Sequence, residues 1–277
     1  MAAEFYNRTR RSKSIPISLL HRGRLHDIPL YYLLRASDLA REGFENSGSY
    51  RFADHIYRNS ASGTNAFGRW LDARLLALPA VRSFRSRFLA ARDELARFLV
   101  ARSGAALNVL SVPCGIPREL VEGAVAARRQ GADLGRVVFH GLDLDPDLLQ
   151  KAAAFAHENR LVDFETHLGD ALAARNYPCN TDFVTSTGLA EFLDDGQLTI
   201  LYQAVFAALR PGGLFVTSGM QRRRISEYLL KLAEITVHYR DAASLQALAS
   251  QAGFCDVAVR HDALGIQCIV LARKATR

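Results

Sequence analysis

The chain has 277 residues, 49% of them hydrophobic, with 35 Lys and Arg against 28 Asp and Glu for a formal charge of +7 at pH 7. That composition supplies a sizeable core and excludes a disordered chain, and the length fits one α/β domain with an added segment. No run approaches the roughly eighteen apolar residues that a membrane span needs. Cys114, Cys179, Cys255 and Cys268 have no CxxC spacing and no histidine at ligand spacing. They read as small apolar fillers, with no disulfide framework and no metal centre indicated.

The N-terminus carries Arg8, Arg10, Arg11 and Lys13, but Pro16 and His21 interrupt any apolar core. This argues against a secretory signal and for a cytoplasmic protein. Helical periodicity then predicts a helix over Pro29 to Gly43 and another from Phe67 to Leu78, stopped at Pro79. In a third, Val81, Phe84, Phe88, Leu95 and Phe98 share one face. Between them, Glu45 to Asn65 is rich in Asn, Ser and Gly and reads as loop, with one short helical turn around Phe52 to Tyr57. The segment 1–104 holds 18 basic against 9 acidic residues, a balance of +9, whereas 105–277 holds 17 against 19, a balance of −2. Attraction to an anionic partner is one reading of that excess. The arginines are dispersed, so solvated helix faces are the better one, and nucleic-acid binding is disfavoured.

From Ala105 the pattern changes. Asn108-Val-Leu-Ser111 reads as a buried parallel strand, Cys114-Gly115 as a tight turn, and Pro117 to Arg129 as a helix. A second strand, Arg136 to Leu142, ends at Asp143, where a carboxylate beyond the strand can accept hydrogen bonds from both hydroxyls of a ribose. A third strand precedes Leu168-Gly-Asp170, Asp182 to Thr187 is a fourth, and Arg210-Pro-Gly-Gly213 turns into a fifth. Gly196 to Arg210, Ile225 to Ile235 and Ala242 to Gln251 are amphipathic helices. Asp256 to His261 and Gln267 to Ala272 alternate as strands. Pro113 and Pro117 stand where a glycine-rich loop has glycines, and Ser111 stands where an acid is often found.

These motifs, at Val109 to Gly115, Gly141 to Asp145, Gly169-Asp170, Asp182 to Leu189 and Arg210 to Gly213, resemble those of class I S-adenosylmethionine-dependent methyltransferases. The resemblance covers about Ala105 to Arg273. Ser186 to Asp195, Pro211-Gly-Gly213 and Tyr239 to Phe254 resemble a group of bacterial methyltransferases of largely unassigned substrate. It implies a Rossmann-like α/β fold: a seven-stranded, mostly parallel sheet with helices on both faces, its last strand antiparallel. Residues 1–104 would form an N-terminal helical lid or substrate segment, and 105–277 the cofactor domain.

Carried over by position, Asp143 with Leu144 would bind the ribose, and Asp170 with Ala171 the adenine. The turn through Ser111, Pro113, Cys114 and Gly115, with Thr185, Ser186 and Thr187, would hold the methionine end. The implied cofactor is S-adenosyl-L-methionine and the implied partner a small-molecule acceptor, a metabolite or carrier-bound group. A homodimer is left open.

Because transfer from a sulfonium needs positioning more than acid–base chemistry, no triad is required. Tyr57, Arg58 and His238 are the catalytic candidates. Tyr31, Tyr32, Glu191, Met220, Gln221 and Tyr239 are further pocket candidates. His55 is weighed as a base but reads as a surface residue, and His140 as a hydrogen-bonded core residue. The proline-containing turn and the missing acid at Ser111 keep a second reading open, an enzyme that cyclises or transfers the aminobutyryl chain of the cofactor and releases methylthioadenosine. A non-enzymatic nucleic-acid or protein-binding module is the third.

Overall fold

The computed structural model describes residues 15–45, 50–161, 163–222 and 236–276. The chain divides into two compact units, one from the residues before Ser86 and the other from Ser86–Arg222 and Val237–Arg277.

The first unit contains α1 (Ile15–His21), α2 (Asp27–Leu34), α3 (Asp38–Glu45), α4 (Tyr50–Arg58) and α5 (Ala66–Leu76). Two apolar clusters hold it: Ile15, Leu19, Tyr31 and Phe44, and separately Leu39, Ile56 and Leu76 with Phe52, Tyr57 and Phe84 against them. The single helix expected over Pro29 to Gly43 is two. Ser37 interrupts it, its hydroxyl accepting from Ala40 N at the start of α3 and donating to Asp72 Oδ1 at 2.6 Å. The turn expected around Phe52 is a nine-residue helix, α4, because Phe52 and Ile56 lie one helical turn apart and bury one face.

Asp72 is the polar hub of this unit. It is fully buried and accepts from Ser37 Oγ, Leu39 N and Ser62 N, with His55 Nε2 at 2.9 Å. Burial alone would raise its pKa; the bonds from His55, Ser37, Leu39 and Ser62 outweigh that and hold the carboxyl below its ordinary value. His55, read from sequence as a surface residue, is therefore a buried structural partner. Only a carboxylate seventeen positions away could have revealed it.

The second unit is built on a seven-stranded sheet of order β3-β2-β1-β4-β5-β7-β6. Its strands are β1 (Leu107–Ser111), β2 (Val137–Asp143), β3 (Phe164–Leu168), β4 (Thr181–Ser186), β5 (Leu209–Met220), β6 (Asp256–His261) and β7 (Gln267–Arg273). Strands β1 to β5 pair in parallel, and β7 enters antiparallel between β5 and β6. The helices of the unit are α6 (Pro79–Ala101, which begins in the first unit), α7 (Arg118–Arg129), α8 (Pro146–Glu158), α9 (Asp195–Ala208) and α10 (Ala242–Gln251). Residues 86–104 belong to this unit rather than to the N-terminal segment, since Ala91, Leu95, Phe98 and Leu99 of α6 pack with Leu107, Val109, Leu120 and Phe183 in one core. The opposite face of the sheet buries Tyr202 of α9 against Phe215. The two α/β crossovers from β2 and β4 begin with capped helices. Asp145 accepts from Asp147 N and Leu148 N ahead of Pro146, and Asp194 forms a capping box with Gln197.

The turn expected at Arg210 to Gly213 is a bulge inside β5. Thr181 pairs with Leu209 but Phe183 with Leu214, and Gly212 takes φ 78°, a left-handed conformation that glycine adopts without strain. The helix expected over Ile225 to Ile235 lies outside the described residues.

Candidate functional site

The strand order reverses between β1 and β4, and at such a switch point the carboxyl ends of neighbouring strands open a crevice in which a ligand can sit. The candidate residues around it come from the ends of β1 to β5. After β1, the turn is strapped on both sides: Val112 N donates to Thr185 O of β4, Cys114 N to Leu142 O of β2, and Gly115 N to the Asp143 carboxylate at 3.1 Å. The Val112–Pro113 peptide is cis, and Gly115 has φ 49°. Gly141 makes room for this turn, since a Cβ there would meet Cys114 Sγ at 2.9 Å.

Asp143 ends β2 and is buried. Its second oxygen accepts from Asp145 N at 3.2 Å. Burial raises its pKa, against the backbone N–H groups of Gly115, Asp145 and Leu144 that hold it down. Leu144 is half-buried beside it. Asp170 follows β3. Its Oδ1 accepts from Leu172 N, and its carbonyl from the Asn176 side chain. Gly169 is required for that approach, because a Cβ would lie 2.4 Å from Asn176 Cγ. Ala171 is buried and its carbonyl accepts from Tyr177 Oη at 2.6 Å.

Near the ends of β4 and β5, Thr217 Oγ1 donates to Ser186 O, but several other buried polar side-chain atoms lack partners. Thr185 Oγ1, Ser186 Oγ, Ser218 Oγ, Glu191 Oε2 and both amide atoms of Gln267 have none among the described residues. Each such group costs about 1–3 kcal/mol, so their concentration at one sheet edge marks where a polar ligand would repay them. Glu191 is held by Arg87 of α6, which donates from Nη1 to Oε1 at 2.7 Å with both side chains almost wholly buried. Gly188, with φ 99°, admits the guanidinium, since a Cβ there would lie 2.6 Å from Arg87 Nη2. Arg240 fixes the same loop, donating to Asp195, Ala190 O and Leu193 O.

An acid from α7 meets Ser111. Glu119, in the first turn of that helix, is buried and accepts from Ser111 Oγ at 2.5 Å. Burial pushes its carboxyl up to about 7, against the Ser111 hydrogen bond that holds it down. A carboxyl that protonates more readily in the folded chain contributes stability that is fully present below the ordinary 4.5 and is lost as pH rises through about 7. Glu119→Gln is therefore expected to be nearly neutral at pH 4 and to stabilise by up to about 3 kcal/mol at pH 8. Urea denaturation at the two pH values checks this. Equal midpoint shifts at both would exclude an ionisable Glu119.

The sequence candidates divide by unit. Ser111, Pro113, Cys114, Gly115, Asp143, Leu144, Asp170, Ala171, Thr185, Ser186 and Thr187 all lie at the strand ends of the second unit. Glu191 and Met220 are buried there, and Gln221 N donates to Ile266 O. His238 is exposed in that unit, its backbone N donating to Glu191 O at 2.7 Å, and Tyr239 is half-buried. Tyr57 and Arg58 belong to the first unit, where the Tyr57 ring packs 5.9 Å from Phe84 and Arg58 pairs with Asp54. Tyr31 is core and Tyr32 exposed. Arg87, Glu119, Ser218 and Gln267 were not anticipated. An acid eight residues after Ser111, in the first turn of the next helix, was the only local hint.

Strand order, switch point and paired acids at the ends of β2 and β3 define a methyltransferase-type α/β fold. Residues 38–274 match the family described as "Putative methyltransferase", and the chain belongs to that family. A search of curated protein sequences returns no significant match. Among solved structures, the chain is similar to a "possible exported protein" from Bordetella parapertussis, with 24% identity, 99% of this chain and 96% of that one covered, and a TM-score of 0.76. It is also similar to an O-methyltransferase family protein from Burkholderia thailandensis, at 13% identity over 99% and 92% of the two chains, TM-score 0.57. Magnesium protoporphyrin IX methyltransferase from Synechocystis, with bound S-adenosylhomocysteine, gives 13% identity over 80% and 93%, TM-score 0.55.

Proposed function

We propose that this protein is an S-adenosylmethionine-dependent methyltransferase acting on a small-molecule acceptor. The observation that carries the reading is the pair Asp143 and Asp170, one at the tip of β2 and one just past β3, on the same side of the strapped turn after β1, which Asp143 holds through Gly115 N. Two carboxylates so placed suit the ribose hydroxyls and the adenine amino group, respectively. Bound S-adenosylmethionine would supply a methyl group already activated by its sulfonium. The chain's own part is to bind and orient. Asp143 retains lone pairs beyond those used by Gly115 and Asp145, and the Ser111–Glu119 pair with Thr185 and Ser186 presents hydroxyl and carboxyl groups toward the amino-acid end. The unpartnered Glu191 oxygen, Ser218 and Gln267 supply polar groups for an acceptor bearing hydroxyl, amine or carboxyl functions.

Glu119 also bears on the choice of chemistry. The missing acid at Ser111 is one of two reasons to consider attack on the aminobutyryl chain; a carboxyl bonded to Ser111 weakens that one and leaves the proline-containing turn. The test is mass spectrometry of the sulfur-containing product after incubation with S-adenosylmethionine, with and without a small-molecule extract of the source cells. The expected result is S-adenosylhomocysteine that depends on the extract. Methylthioadenosine formed without extract would overturn methyl transfer, and the absence of either product with undetectable cofactor binding would favour a binding module.

A further inference from the structure

We propose that His140, His167 and Glu165 form a binding site for a divalent transition-metal ion of the zinc class, separate from the cofactor crevice. His140 on β2 stands directly opposite Glu165 on β3, and His167 follows two residues along, so all three side chains leave the same face of the sheet. His140 Nδ1 lies 3.1 Å from His167 Nε2 and 3.4 Å from the Glu165 carboxylate, and one ligand atom from each residue falls within 4.8 Å of the others. A tetrahedral ion with bonds of about 2.0–2.1 Å sets its donors about 3.3 Å apart. The two shorter edges already have that spacing. Two imidazoles and a carboxylate suit zinc and leave a fourth position for water.

The surroundings aim the first ligand. His140 Nε2 is 3.2 Å from Asn108 Oδ1, while Asn108 Nδ2 donates to Asn180 O. That second bond fixes which way the amide faces, so its oxygen accepts the Nε2 proton and Nδ1 turns a bare lone pair toward His167 and Glu165. His140 is buried, and its pKa is lowered by burial and by the neighbouring His167; that of His167 is lowered by burial. Burial thus favours the neutral form of both rings, the form that ligates metals. Within the apo chain the His140–His167 contact needs one shared proton, which the ion would replace.

His140 lies three residues before Asp143, and His167 three before Asp170. An ion here would tie the edge strand β3 to β2 just below the two acids. The test is calorimetric titration of the intact protein with Zn2+, with Co2+ absorption as a second probe. One saturable site per chain is expected, with a micromolar or tighter dissociation constant, the visible bands of tetrahedral Co2+, and a melting temperature that rises with Zn2+. Glu165 is exposed and His167 only half-buried, so Glu165→Ala and His167→Ala should fold as wild type and each weaken binding at least about tenfold; Asn108→Ala should weaken it about tenfold through the ring it orients. No saturable binding at millimolar Zn2+, or binding that neither Glu165→Ala nor His167→Ala changes, would overturn the site. Neither result depends on methyl transfer.

Discussion

Asp143→Ala is expected to weaken S-adenosylmethionine binding by at least about a hundredfold, a loss of about 3 kcal/mol. The estimate follows from what the carboxylate would do. Hydrogen bonds to a charged group contribute about 1.5–3 kcal/mol each, and a ribose offers two hydroxyls to one carboxylate. The same substitution also takes an acceptor from Gly115 N and Asp145 N, so the turn after β1 would loosen. Asp143→Asn separates the two effects. Its amide oxygen still accepts one backbone N–H and keeps one lone pair for the ribose, but its NH2 faces the other backbone donor and accepts nothing. Calorimetry with S-adenosylmethionine, alongside thermal denaturation of each variant without ligand, gives both quantities. If Asp143→Ala melts near the wild type and binds the cofactor equally well, Asp143 is not the ribose acid and the site is misplaced.

The strand-end positions of the residues proposed for the cofactor were legible because their information is local. A strand end, a turn glycine and an acid follow one another within a few residues at Ser111 to Gly115, Gly141 to Asp143 and Gly169-Asp170, and strand periodicity supplies the rest. For α10 and β6 the bounds read from sequence coincide with the structure, since Gly253 and the Asp262 to Gly265 turn punctuate them. What sequence could not carry is pairing across elements. His55 meets Asp72 seventeen residues away, Arg87 meets Glu191 from a helix more than a hundred residues earlier, and the His140 cluster needs the register of β2 on β3. Even Glu119, eight residues from Ser111, was invisible because strand, turn and helix must all be placed before the two side chains meet. The short helix α4 shows the opposite failure. Polar residues around it suggested loop, while Phe52 and Ile56 were enough to bury one helical face.

The Arg87–Glu191 pair is where stability and function are expected to part. Arg87→Met leaves the Glu191 carboxylate buried without its cation, and removing one partner of a buried pair costs about 3–5 kcal/mol. Glu191→Leu strands the guanidinium in the same way. The double variant removes both charges and fills the space with apolar groups of similar size, so its cost should fall well below the sum of the singles, a coupling of about 2–3 kcal/mol in a double-mutant cycle. Urea denaturation of the four proteins measures this. If the pair existed only to hold α6 on the loop after β4, turnover would return with stability in the double variant. Glu191 Oε2, however, is buried and has no partner among the described residues, at the edge where Ser186 and Ser218 are also unsatisfied. A fold that keeps an unpaired carboxylate oxygen there forgoes stability that an apolar pair would provide, and a ligand contact would be the compensation. The expected result is a double variant that is stable yet at least about a hundredfold slower, since loss of charged contacts to a ligand is worth about 3 kcal/mol. Recovery of wild-type turnover would reduce the pair to scaffolding and move the acceptor away from Glu191.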